Sequence, residues 1–173
     1  SSRFQNVTVV DYSPVLIEIG RKQAADQGVG IDFVETDARS TGLPAGRFRA
    51  AVIMANSFGY FVNENHDRQL LQEARRLLAP NGKLLLDLVS KAYVMGRFAA
   101  LSWHEADEST VICRERELCE DMIYSREMVL SKETGLIRDA KYCVRLYSAE
   151  RIRQLLDLEG FSSIRVKDGF QTH

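Results

Sequence analysis

The chain has 173 residues, 45% of them hydrophobic, and a formal net charge of −1 from 23 basic and 24 acidic side chains. That is enough apolar material to build the core of one domain, and the dispersed Lys and Arg argue against a dedicated nucleic-acid surface. No apolar stretch reaches the ~20 residues of a membrane span, and the first residues do not read as a signal peptide. Cys113, Cys119 and Cys143 are odd in number and lack C-x-x-C spacing, and His66, His104 and His173 form no ligand cluster. This usage suits a reduced, cytoplasmic protein and offers no metal site.

In chain order, Val7–Asp11 is a β-branched run ending in an acid, the pattern of a buried parallel strand. Ser13 is a good helix N-cap and Pro14 suits the first helical position. Val15, Leu16 and Ile19 give that helix an apolar stripe, and Gly28 is placed to end it. Ile31–Glu35 reads as a second strand closing at Thr36-Asp37-Ala38. Phe48–Met54 holds the most continuous apolar run and reads as a strand covered on both faces. The next helix carries Leu70, Leu71, Ala74, Leu77 and Leu78 on one face. It stops at the turn Ala79-Pro80-Asn81-Gly82, and Lys83–Val89 follows as another buried strand. These strand–helix–strand units predict a Rossmann-like, mostly parallel α/β sheet with right-handed crossovers and helices on both faces.

The character changes at Trp103. Ser109–Leu118, Met122–Leu130 and Leu136–Tyr147 predict an antiparallel β-meander over 103–147, inserted into a single domain spanning 1–173. On its third strand Leu136, Tyr142, Val144 and Leu146 share one face, with Asp139, Lys141 and Arg145 opposite. Ser148 then caps a helix carrying Ile152, Leu155 and Leu156, and Phe161–Val166 returns as a strand.

A strand that stops at an acid beside a helix N-terminus is how α/β folds hold nucleotide ribose hydroxyls, which singles out Asp11. No G-x-G-x-x-G or P-loop spacing occurs in the chain. Several pieces recur in a set order: Val-Val-Asp11-Tyr-Ser-Pro, Phe33-Val-Glu-Thr-Asp37-Ala38-Arg, and Asn56-Ser-Phe-Gly-Tyr60-Phe61. After them come Glu73 to Asp87 with its Pro-Asn-Gly turn, and Tyr147-Ser-Ala-Glu with Leu156 to Phe161. This ordered set resembles class I S-adenosylmethionine-dependent methyltransferases of the small-molecule type.

The resemblance implies roles residue by residue. Asp11 would hold the ribose hydroxyls of S-adenosylmethionine, and Tyr12 would lie against the adenosine. Asp37 would accept a hydrogen bond from the adenine amino group, with Ala38 beside the ring. Ala55 and Asn56 would lie near the methionine portion. Tyr60 matches a position that carries a catalytic His in some relatives, while Phe61, Trp103 and Tyr147 would wall the acceptor pocket. A phenol, with an ordinary pKa of about 10, is a weak base near neutrality. The reaction implied is therefore methyl transfer to N or O of a small molecule by alignment, with an amine or an already acidic hydroxyl favoured.

The family's first strand, with its acidic-Gly-x-Gly loop, would lie between the strands ending at Asp11 and Met54. Its last antiparallel strand would lie between Lys83–Val89 and Phe161–Val166. Neither is found in the sequence, so the chain reads as part of a longer protein, truncated at both ends relative to the family. Partners implied are a small-molecule acceptor, no nucleic acid and no membrane, with a homodimer admitted. Two other readings stand beside this one. The first is an inactive, methyltransferase-like binding or scaffold subunit. The second is a nicotinamide-dependent oxidoreductase, since Asp11 would serve an NAD ribose equally well. The short-chain form of that enzyme, however, needs a Tyr-x-x-x-Lys pair that no tyrosine here provides.

Overall fold

The computed structural model describes residues 6–55 and 57–167. The first half alternates strand and helix: β1 (Val7–Asp11), α1 (Pro14–Asp26), β2 (Ile31–Glu35), β3 (Phe48–Ile53), α2 (Glu64–Leu77) and β4 (Leu78–Leu86). After the short α3 (Lys91–Met95) come β5 (Leu101–Glu105), β6 (Thr110–Cys119), β7 (Met122–Ser131), β8 (Gly135–Arg145) and α4 (Ala149–Leu158). Ser13 Oγ caps α1 by accepting from the Leu16 amide at 3.3 Å, and Pro14 occupies the first turn. Ser148 Oγ caps α4 in the same way, accepting from the Arg151 amide at 3.1 Å. Both caps satisfy amide groups that a first turn otherwise leaves unpaired.

β1 pairs in parallel with β2, Asp11 opposite Glu35, and β3 pairs in parallel with β4, Ile53 opposite Leu86. Among the described residues the two pairs are not hydrogen-bonded to each other. The core lies between α2, α4 and one face of β3–β4. It is built from Phe58, Leu70, Leu71, Tyr147, Ile152, Leu155 and Leu156, with Ile53, Leu84 and Leu86 packed against it. Strands read as covered on both faces are half open instead: Val52 is 53% exposed and Leu85 42%. α1 lies on β1–β2 and α2 on β3–β4.

Other expectations shift for local reasons. The turn at Ala79–Gly82 is present, but as an excursion within β4. Phe48 pairs with Leu78 and Ala50 with Lys83, so the four residues bulge from the ladder with Asn81 at φ 63°. The strand then stops at Leu86 rather than Val89. Phe161–Val166 joins no sheet among the described residues. Ser163 at φ 57° breaks its extended backbone, and Phe161 and Ile164 pack on the core.

The antiparallel sheet has four strands in the order β5-β6-β7-β8, one more than the expected meander and beginning at Leu101. A bulge sets Val129 opposite Arg138 but Leu130 opposite Leu136. The extra residue turns Leu136 to the same face as Asp139, away from Tyr142 and Val144, and leaves it 59% exposed. The sheet docks on the first half through backbone bonds. The Arg145 amide donates to Gly59 O at 2.7 Å and the Lys91 amide to Tyr147 O at 3.3 Å. No helix among the described residues is long and apolar enough to cross a membrane.

Leu71 and Leu155 are both 0% exposed at the centre of this core. Truncating either to Ala should cost about 2–5 kcal/mol through lost transfer energy and a residual cavity, read as a lowered urea midpoint with an unchanged slope.

Candidate functional site

The carboxyl ends of the parallel strands carry the loops from which open α/β sheets bind ligands. The Thr36 amide donates to Asp11 O at 3.0 Å, which keeps the exits of β1 and β2 side by side. There a cleft of about 220 Å³ opens, lined by Tyr12, Pro14, Glu35 and Thr36. Tyr12 is 79% exposed at its mouth. Asp11 Oδ1 accepts the Ser13 amide at 2.8 Å, which tightens the turn into α1. Asp11 Oδ2 accepts no hydrogen bond from the described residues.

Asp37 follows β2, and Arg39 folds back onto it. The Arg39 amide reaches Oδ1 at 2.8 Å, Nε lies 3.0 Å from each oxygen, and a terminal nitrogen is 2.5 Å from Oδ2. These bonds hold the Asp37 carboxyl below the usual carboxylate range and raise the Arg39 guanidinium. The Arg39 guanidinium also sits 4.6 Å over the Phe61 ring, and Phe61 meets His66 edge-on at 5.7 Å. The exits of β2 and β3 are thereby brought together. Ala38 faces inward and packs against the core.

Past β3, Ala55 takes φ 54°, a left-handed conformation that costs a non-glycine residue energy and gathers at functional sites. Its amide donates to Asp87 Oδ2 at 3.3 Å, and the Asp87 amide donates to Ile53 O at 2.9 Å. Asp87, at the exit of β4, is thus a support for this bend that periodicity alone did not single out. Asn56 lies outside the described residues.

Two buried carboxylates of α2 hold these loops, and neither was apparent as a site residue. Asp67, 0% exposed, accepts the Gly59 amide at 3.1 Å and the Tyr147 hydroxyl at 2.8 Å. Arg145 Nε stands 3.7 Å from Asp67 Oδ2, and another Arg145 nitrogen donates to Val62 O at 2.7 Å. Burial raises the Asp67 carboxyl, with the Tyr147, Gly59 and Arg145 contacts opposing it. Burial and the Asp67 hydrogen bond together push the Tyr147 hydroxyl well up. Glu73 Oε1 accepts the Thr41 amide at 2.9 Å and its hydroxyl at 2.5 Å, while Arg76 binds both Glu73 oxygens at 2.7 Å and also Leu43 O at 2.8 Å. The signal for Asp67 was its phase: positions 67, 70, 71 and 74 form one helical stripe, so an acid there faces the core.

The aromatic candidates divide. Tyr60 is 47% exposed, its ring 6.3 Å from that of Tyr142. Phe61 lies between Arg39 and His66. Tyr147 is 5% exposed, ring-packed on Phe58 at 5.3 Å, and its hydroxyl serves Asp67. It is therefore a core residue that also lines a second, polar cleft of about 60 Å³ with Glu64, Lys91, Asp121 and Arg151. Trp103 stands 70% exposed on the edge strand β5 and lines neither cleft, because its side of the sheet is open at that position.

Gly59 has φ 93°, and a Cβ there would lie 2.7 Å from Arg145 O. Gly59→Ala should therefore destabilise the protein by more than about 1 kcal/mol, seen as a lower urea midpoint, and expose the amides of residues 57–62 to faster hydrogen exchange. Arg76 and Thr41 hold the Glu73 carboxyl down at about 2, against 4.5 for the free side chain. A depressed carboxyl adds stability that is present above the unfolded value and is lost as pH falls toward the folded one. Denaturant midpoints should thus fall between pH 4.5 and about 2, and less steeply in Glu73→Gln, which starts from a lower midpoint at pH 7.

Residues 1–82 match the family model described as a methyltransferase domain. The chain is 33% identical over 105 residues to a ubiquinone/menaquinone biosynthesis C-methyltransferase of Hahella chejuensis, covering 55% of this chain and 41% of that protein. It is 35% identical over 80 residues to a demethylmenaquinone methyltransferase of Thermus thermophilus, covering 46% and 34%. The matches thus span less than half the length of these curated relatives. The fold is that of an S-adenosylmethionine-dependent methyltransferase from Clostridium acetobutylicum (TM-score 0.78, 15% identity, 96% of this chain and 72% of that one). It is also that of an amino pentose methyltransferase from Micromonospora echinaspora, solved with its methyl donor (TM-score 0.64, 17% identity, 92% and 67%). Residues 1–82 thus match a methyltransferase domain in sequence, and nearly the whole chain shares the fold of S-adenosylmethionine-dependent methyltransferases.

Proposed function

We propose that the chain carries the cofactor and acceptor loops of an enzyme that transfers a methyl group from S-adenosylmethionine to a small-molecule nitrogen or oxygen nucleophile. The observation that carries this reading is the placement of Asp11 and Asp37 at the exits of adjacent parallel strands, beside the cleft lined by Tyr12. The residues suit the donor: Asp11 has one carboxylate oxygen unused by the described residues, as a ribose diol requires. The small, strained Ala55 leaves room at the exit of β3 for the methionine portion, which Asn56 would share.

The bound donor supplies an already activated sulfonium methyl, so the chain's part is alignment and exclusion of water. Asp11 would hold the ribose hydroxyls, Tyr12 would lie against the adenosine and Asp37 would accept from the adenine amino group, with the core-packed Ala38 as the floor beside the ring. Asp67 and Gly59 fix the loop on which Tyr60 and Phe61 meet the acceptor. Tyr147 supports that loop from beneath, and Trp103 belongs to the sheet beyond it. An acceptor amine or an acidic hydroxyl needs little help from a base, which fits a loop whose exposed polar aromatic is a phenol.

Calorimetry of S-adenosylhomocysteine with the full-length protein tests the reading. Micromolar binding is expected, weakened at least tenfold in Asp11→Ala. Absence of binding by the wild type, or binding indifferent to Asp11→Ala, would refute it.

A further inference from the structure

The contact between Arg39, Asp37 and Phe61 joins two loops that the proposed reaction assigns to different molecules. Asp37 belongs to the cofactor side and Phe61 to the acceptor side. A carboxylate offers about four acceptor positions. Arg39 directs its amide, its Nε–H and a terminal N–H at the two Asp37 oxygens, between 2.5 and 3.0 Å. A ligand amino group that takes this carboxylate must therefore share it with Arg39 or displace it.

Displacement is inexpensive in this setting. Asp37 and Arg39 side chains are 37% and 28% exposed, and an ion pair that open to water is weak. The guanidinium does not lose its footing when the pair breaks, because the Phe61 ring lies 4.6 Å beneath it. A cation over an aromatic face is held by the ring's own charge distribution. Phe61 is in turn held against His66 of α2, so movement of the guanidinium alters the surroundings of a residue on the acceptor loop.

We propose that Arg39 is a built-in competitor for the Asp37 carboxylate, displaced when the adenine end of the cofactor binds, and that its stack on Phe61 passes this event to the acceptor loop. The inference rests on the assignment of Asp37 to the adenine amino group. It adds an affinity-determining residue to the site and a coupling between its two halves.

The probe is S-adenosylhomocysteine, measured by calorimetry on the full-length protein. Arg39→Ala should bind it two- to fivefold more tightly than the wild type. Arg39→Met, which keeps an apolar stem over Phe61, should do the same and guards against a misfolded alanine variant. In an Asp37→Ala background the removal of Arg39 should change nothing, since the object of competition is gone. The gain should also shrink at high salt, as an exposed pair is screened. Wild-type binding with equal or weaker binding by both Arg39 variants overturns this inference and leaves the cofactor site standing. A gain that persists without Asp37 overturns it as well. Absence of binding by the wild type removes both readings together.

Discussion

The buried carboxylate of Asp67 is the constraint on which the rest of the site depends. It lies on the core face of α2, fully enclosed, where an unpaired charge would be strongly unfavourable. Its partners are therefore obligatory: a backbone amide from the loop after β3, a hydroxyl from the segment after β8, and a nearby guanidinium. One helix position thus ties the parallel half to the antiparallel sheet. Gly59 completes the joint, because any side chain there would strike the Arg145 carbonyl. Six residues further along the same helix, Glu73 holds the loop after β2 through Thr41 and Arg76. α2 is less a crossover between strands than the frame on which the loops after β2 and β3 hang.

That frame explains why the loops can be irregular where ligands would approach. A strained Ala55, a doubly bonded Gly59 and an Asp37 wrapped by Arg39 all lie outside regular elements. The strain is tolerated because fixed groups behind it over-determine the backbone: Asp87 behind Ala55, Asp67 behind Gly59, Glu73 behind the turn at Thr41. A site of this kind suits the proposed chemistry, in which the donor is already activated and what remains for the protein is geometry.

Much of the fold was legible from residue pattern alone. β1 and β2 fall where the apolar runs place them, α1 begins at its Ser-Pro signal, and α2 and α4 follow their leucine stripes. These features are local, set by caps, periodicity and turn chemistry within a few residues. The misjudged features are non-local. Phe161–Val166 has strand composition but no partner ladder among the described residues. Leu136 changes face because one extra residue enters the ladder opposite Leu130. Val52 and Leu85 look like doubly covered strand residues, yet cover depends on which elements stack above them.

The site divides along the same line. Residue pattern alone marks the residue types that follow the apolar runs: Asp11 and Asp37 after two of them, and Asn56 to Phe61 after the longest one. Order and spacing along the chain were enough to suggest a resemblance to methyltransferases, because strand exits recur at intervals set by the lengths of strand and helix. Which of these side chains stay open to solvent and which turn into the protein was settled by packing in three dimensions. Tyr147 was drawn inward to satisfy Asp67, Trp103 was left on an open edge strand, and Arg39 was placed across Asp37 and Phe61. The physical reason is that burial and hydrogen-bond satisfaction are collective. A polar group's partner is whatever the packed fold brings within about 3 Å, and no local pattern in the chain encodes that neighbour.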